Sequence, residues 1–126
     1  TRRVFNGQPI SSFGVGTVRR DYTYIDDLIQ GVMASCGFEG PLFDIFNLGE
    51  SETIQLKDLI AAIEDALERK ATVQQLPEQA GDVPLTCADP ERLLAAIGPW
   101  AKTSLDQGLE NFARWLDAWE PMETQR

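Results

Sequence analysis

The run Arg20-Asp21-Tyr22-Thr23-Tyr24-Ile25-Asp26-Asp27-Leu28-Ile29-Gln30-Gly31-Val32-Met33 changes its hydrophobic period midway. Asp21 to Ile25 hold aromatic and β-branched residues that suit a strand. From Ile25 onward, Leu28, Ile29, Val32 and Met33 recur at helical spacing, with Asp26 or its neighbour placed to cap the helix and Gly37 placed to end it. A strand that passes within a few residues into an amphipathic helix belongs to a mixed α/β fold. The helix at 26–36 is apolar over a broad face, and no other segment of the sequence offers itself as its partner. That face is expected to pack against something outside these 126 residues.

Outward from this run the same interleaving continues. Upstream, Gly7-Gln8-Pro9 is a turn signal, Ile10 to Phe13 a short extended piece and Gly14-Val15-Gly16 a loop. Downstream, Pro41 restarts the chain into Leu42-Phe43-Asp44-Ile45-Phe46-Asn47-Leu48, an almost continuously apolar run of strand length stopped by Gly49. After Thr53 and Ile54, residues Leu56, Leu59, Ile60, Ile63, Ala66 and Leu67 mark one face of a helix, and Arg69 and Lys70 follow it, where the macrodipole favours positive charge. Residues 72–76 suit a short strand and residues 78–82 a polar loop. Asp89-Pro90 opens a short helix that Gly98 and Pro99 close, and Ser104 with Gln107 forms a capping box ahead of a last amphipathic helix through Trp119. The expected fold is therefore one mixed α/β lobe over residues 1–120, with 121–126 as a tail.

Composition removes whole classes of function. The chain has no His, which excludes an imidazole base, a Ser-His pair and a His-ligated metal. Two cysteines, Cys36 and Cys87, make neither a disulfide framework nor a four-thiolate zinc site and are read as reduced thiols. No stretch reaches the roughly 18–20 apolar residues of a membrane-spanning helix. The chain starts at Thr1, and Thr1 to Phe5 reads as the end of a helix, so it is expected to be a piece of a longer protein. It carries no secretory signal pattern, and a cytoplasmic location is the default expectation.

The formal charge of −9 is unevenly distributed. Residues 1–20 hold Arg2, Arg3, Arg19 and Arg20 and no acid, whereas residues 21–126 carry a net −13. Such a surface repels nucleic acid and anionic lipid. One or two local arginines still suit a small anion, because guanidinium forks match phosphate oxygens at short range. Arg19 and Arg20, between a glycine loop and a strand, are the candidates.

Without His, the residue types left for catalysis are carboxylates, Lys, Tyr, Cys and Ser. A Tyr followed four residues later by Lys would set phenol and ammonium on one helix face, but Tyr22 is followed at that spacing by Asp26 and Tyr24 by Leu28. Gly14-Val15-Gly16 stops at two glycines, short of a dinucleotide fingerprint, and no phosphate loop is present. Adjacent Asp26 and Asp27 read as partners of a helix N-terminus rather than as a metal pair. What remains suits binding: Phe13 as a flat apolar contact, Arg20 for phosphate and Asp82, beside Gly81, as an acceptor for a hydroxyl pair.

These pieces occur in a wider order. Gly7-Gln8-Pro9-Ile10, Phe13-Gly14, Gly16, Arg20 to Asp27 with Gly31-Val32, then Phe46-Asn47-Leu48-Gly49, Gln79-Ala80-Gly81-Asp82-Val83, Ala88-Asp89 and Thr103-Ser104-Leu105 to Gly108-Leu109 resemble the second half of the extended short-chain dehydrogenase/reductase nucleotide-sugar epimerases. The resemblance implies the small substrate-binding lobe of a Rossmann-type enzyme, without the first-half domain that holds NAD and the catalytic Tyr/Lys pair. It implies a UDP-sugar as ligand and no catalytic, cofactor-binding or metal-ligating residue in this segment. Ser12-Phe13 would lie along uracil, Arg20 on the diphosphate and Asp82 by the ribose. Gln79 stands where glucose-type members carry an arginine, which points toward the UDP-glucuronate 4-epimerase branch; other epimerases, dehydratases and decarboxylases share much of the lobe. Residues 21–36 would dock on the absent Rossmann domain, or pair with a second copy in an isolated fragment. A stand-alone acidic interaction module is the alternative.

Overall fold

A computed structural model describes residues 1–123. In chain order the elements are α1 (Arg2–Phe5), β1 (Ile10–Phe13), β2 (Arg19–Asp21), α2 (Ile25–Cys36), β3 (Thr53–Gln55), α3 (Leu56–Leu67), β4 (Val73–Leu76), α4 (Glu91–Ile97) and α5 (Leu105–Glu123). The strands form two separate pairs: β1 runs parallel to β4, with Phe13 opposite Leu76, and β2 runs antiparallel to β3, with Arg20 opposite Ile54. A mixed helix and strand lobe is what the alternating periods imply.

Helices α3 and α5 lie against each other, α1 packs on α3, and α4 meets α2. The core is small. Val4, Ile63, Leu93 and Leu116 are its buried apolar residues, and Leu93 and Leu116 are almost fully removed from solvent. Each such side chain contributes about 1.5–3 kcal/mol relative to exposure. Polar groups hold the loops around this core. The Asp21 carboxylate accepts the backbone N–H groups of Glu50, Ser51 and Ala88 at 3.0–3.2 Å, and Asp27, only 2% exposed, accepts from Thr103 N and Thr103 Oγ1 at 2.6 and 3.0 Å.

Helix boundaries follow the sequence signals closely. Gly37 ends α2, Gly98 ends α4, and Ser104 Oγ accepts from Gln107 N at 3.3 Å to cap α5. Helix α4 starts one residue later than expected, with Pro90 at its N-cap position, and Asp89 Oδ1, one residue before that, accepts from Glu91 N at 3.1 Å. The cap expected at the start of α2 differs: Tyr24 occupies that position with no side-chain capping bond, and Asp27, inside the first turn, faces inward to Thr103. The positive residues after α3 also act otherwise. Lys70 pairs with Glu64 at 2.7 Å and Arg69 lies over the Phe5 ring, both beyond the last turn.

Two strand expectations need correction. The strand expected over Asp21 to Ile25 lies earlier, at Arg19–Asp21, and the chain leaves it where Asp21 gathers its three N–H donors. The apolar run 42–48 belongs to no sheet among the described residues. Its side chains nevertheless alternate: Phe43, Ile45 and Asn47 are exposed, while Asp44, Phe46 and Leu48 are half-buried. Leu48 fits against α2 because Gly31 leaves room there; a Cβ on Gly31 would stand 2.2 Å from Leu48 Cδ2. The run lacks a neighbouring strand, and side chains fill part of that need. Arg92 donates to Ile45 O at 3.2 Å and to Asp44 Oδ1 at 2.6 Å, and Asp44 Oδ1 also accepts from Ile45 N. Helix α5 continues to Glu123, into the segment expected as a tail at 121–126, and residues 124–126 lie outside the described part.

Candidate functional site

The site grows out of the turn between β1 and β2. Parallel pairing with β4 continues past Phe13, as Gly14 N donates to Leu76 O at 2.9 Å and Gln75 Nε2 donates to Gly14 O at 3.0 Å. The chain then reverses through Gly14 and Gly16, whose φ values of 61° and 75° favour glycine. Gly14 is also constrained sterically, because its Cβ would meet Glu78 Cγ at 3.0 Å. On the far side, Arg19 N donates to Pro84 O and Thr86 N donates to Arg19 O, which fastens the loop after β4 to the edge of β2. Asp82 N closes a turn onto Gln79 O at 3.1 Å.

Between these two loops lies a cavity of about 310 Å³, lined among others by Phe13, Val18, Glu78, Gln79, Asp82 and Pro84. Arg20 reaches it through Asp82: Arg20 Nη2 lies 2.5 Å from Asp82 Oδ1, and Arg20 Nη1 donates to Arg19 O at 2.8 Å. Positions 62 residues apart in sequence thus meet in one ion pair. Of the five residues expected to bind ligand, Phe13, Gln79 and Asp82 line the cavity and Arg20 is bonded to one of them. Ser12 is buried and does not line the cavity; strand alternation turns its side chain away from that of Phe13.

Arg19 corrects an expectation. Read beside Arg20 as an anion contact, it instead donates from Nε to Thr53 Oγ1 at 2.9 Å and from Nη2 to Thr53 O, which fixes β3 to β2. Period two decides the difference, since adjacent strand residues point to opposite faces. Glu78 also lines the cavity, although its signal in the sequence is only a charge in a loop after Pro77. Asp21 suits a strand by its neighbours, and nothing local marks it as an acceptor for three distant N–H groups. Burial pushes the Tyr22 phenol up from its ordinary value, while the Arg20 guanidinium pulls it down.

The arrangement suits binding. A guanidinium can take phosphate, the Asp82 and Glu78 carboxylates can accept hydroxyl protons, and Phe13 offers an aromatic face. The same residues do not fit NAD. The Gly14–Gly16 turn joins two strands, whereas a dinucleotide pyrophosphate sits where a glycine turn opens a helix. Among the described residues no group of His, Cys, Asp and Glu is gathered as for a metal ion, and no helix is long and apolar enough to cross a membrane.

No family model matches the chain. Relatives are nevertheless clear. The chain is 31% identical to a probable UDP-glucuronate 4-epimerase of Rhizobium meliloti over 133 residues, covering 90% of the chain and 39% of that protein. It is 36% identical to UDP-glucuronate 4-epimerase 3 of Arabidopsis thaliana, covering 91% of the chain and 30% of the relative. The solved UDP-glucuronic acid 4-epimerase of Bacillus cereus, in complex with UDP-glucuronic acid and NAD, superposes with a TM-score of 0.83 at 28% identity over 94% of the chain and 38% of that structure. The chain therefore spans well under half the length of these proteins. Its fold matches the C-terminal region of Rossmann-fold nucleotide-sugar epimerases. More closely, it resembles the C-terminal part of a short-chain dehydrogenase/reductase family epimerase, with UDP-glucuronate 4-epimerases among its homologues.

Proposed function

We propose that this chain is the UDP-sugar-binding portion of an NAD-dependent nucleotide-sugar epimerase of the UDP-glucuronate 4-epimerase type. The observation that carries the reading is the convergence of Phe13, Gln79 and the Arg20–Asp82 pair on one cavity. In this reading Phe13 and the neighbouring Ser12 backbone lie along uracil, Arg20 holds the diphosphate, and Asp82 and Gln79 face ribose and phosphate. The Tyr/Lys pair and NAD belong to a Rossmann domain of the parent protein, and the segment alone is inactive. A cytoplasmic location is part of the same reading.

The division of labour has a physical reason. An epimerase must hold the nucleotide while the sugar turns over, so firm contacts belong on UDP and loose ones on the sugar. Two apolar surfaces support a docking partner in the parent. Ile25, Ile29, Val32 and Met33 are exposed along α2, and Leu42, Phe43 and Ile45 are exposed on the strand-like run. Both are of a kind that a neighbouring domain covers. In the isolated chain the α2 face would drive a homodimer, and the same exposure supports the alternative of a stand-alone interaction module.

Calorimetric titration with UDP separates these readings. Wild type should bind UDP weakly, and Arg20→Ala should lose about 1.5–3 kcal/mol, a ten- to hundredfold change in affinity. Unchanged affinity removes Arg20 from the site, and no UDP binding at all favours the interaction module.

A further inference from the structure

We propose that Asp82 is an internal stand-in for phosphate on Arg20, and that this pairing makes the site select a nucleoside diphosphate over a bare polyphosphate. The inference rests on the binding reading above and adds a rule for what opens the site. Arg20 already has both terminal nitrogens engaged, Nη1 by Arg19 O and Nη2 by Asp82 Oδ1. An incoming phosphate must therefore displace the carboxylate or share the fork with it.

The geometry favours displacement. Asp82 is the last residue of an exposed turn, closing it with its own N–H to Gln79 O, while the loop is fastened to β2 further on, at Pro84 and Thr86. The Asp82 side chain can rotate away from Arg20 while these backbone bonds stay closed. The pair is partly open to solvent, with the Arg20 side chain 26% and the Asp82 side chain 40% exposed. Exposed ion pairs of this kind hold by about two- to fivefold, whereas a desolvated charge-assisted contact holds by about ten- to a hundredfold. The diphosphate wins the exchange.

What happens to the released carboxylate decides selectivity. An ionised carboxylate only accepts hydrogen bonds, and it repels phosphate oxygens. A nucleotide brings ribose hydroxyls within its reach, so the carboxylate regains partners. Inorganic pyrophosphate brings none, and leaves Asp82 both displaced and repelled.

The test titrates the chain with inorganic pyrophosphate and with UDP, in wild type, Asp82→Asn and Arg20→Ala, at low and at high salt. Circular dichroism of each variant checks that the exposed turn has not disturbed the fold. Asp82→Asn should bind pyrophosphate about two- to fivefold more tightly than wild type, with the preference for UDP over pyrophosphate reduced, and the gain should shrink as salt rises. Unchanged or weaker pyrophosphate binding by Asp82→Asn overturns the stand-in, even when Arg20→Ala weakens both ligands and the site itself holds. Equal binding by wild type and Arg20→Ala overturns the site and the inference together.

Discussion

The surroundings of Asp21 and the outer side of α2 are built from opposite materials. Around Asp21 one carboxylate ties three backbone N–H groups from two loops, and nearby Asp27 ties a third loop through Thr103. Along α2 and residues 42–48, apolar side chains face outward, with Met33 67% and Phe43 79% exposed. The first region ties its loops together with hydrogen bonds from within the chain, although Glu50 Oε1 is buried there without a partner. The second leaves apolar surface uncovered and a strand-like segment without a strand neighbour. A region tied together within the chain thus stands beside one whose apolar side chains are open to solvent, and the two should respond differently to mutation.

The largest contrast is between Leu116 and Ile29. Leu116, 1% exposed on α5, should cost about 2–5 kcal/mol as Leu116→Ala, from lost burial plus the cavity left behind. Ile29→Ala on the open face of α2 should stay within about 0.5 kcal/mol, because water already reaches that side chain. Urea denaturation of both variants measures the pair. A loss of more than about 2 kcal/mol for Ile29→Ala, independent of protein concentration, would break the comparison, since that face would then be covered within the chain itself and not by a second copy.

How much of this was legible in the sequence follows from the range of the forces involved. Helices α2, α3 and α5 and their Gly37 and Ser104 boundaries could be read directly, because periodicity and capping act within a few residues. Phe13, Arg20 and Asp82 were legible as binding candidates from their residue types, and the order of motifs added Ser12 and Gln79. The Arg20–Asp82 bond, the inward turn of Asp27 and the use of Arg19 on Thr53 were not, since each joins positions separated by tens of residues. The run 42–48 shows the opposite case: its composition describes a strand between two layers, but a strand also needs a neighbour, and composition does not supply one.

Asp21→Asn tests the region tied together within the chain, at an intermediate magnitude. Asparagine keeps the shape but replaces one acceptor oxygen with an N–H₂ donor, which would then face a backbone N–H. At least one of the donors from Glu50, Ser51 and Ala88 loses its partner, and the remaining bonds lose their charge assistance. The expected cost is about 1.5–3 kcal/mol in denaturant titration. A loss below about 0.5 kcal/mol would mean that water satisfies these loops and that the region is less firmly tied than its bonding implies.

The smallest effect sharpens the comparison through pH. Glu50 is buried beside the Asp21 network, and burial raises its carboxyl above the ordinary value; Lys102, with Nζ 3.5 Å from Glu50 Oε2, pulls it down, while Asp27 and Asp21 add to the rise. One oxygen, Oε1, is buried without a hydrogen-bond partner. Because the folded state holds this proton more tightly than the unfolded chain, the contribution of Glu50 to stability is fully present below its unfolded pKa of about 4.3 and is lost as pH rises through the higher folded value. Glu50→Gln fixes the neutral form. Its stability relative to wild type should therefore climb across that window and level off at neutral pH, with a gain of at most about 1 kcal/mol because the attraction of Lys102 is lost too. Thermal unfolding of both proteins from pH 4 to pH 8 gives the difference curve. A curve that falls with rising pH would mean that the Lys102 pair outweighs burial, and that Glu50 belongs with Asp21 and Asp27 among the carboxylates that hold this region together.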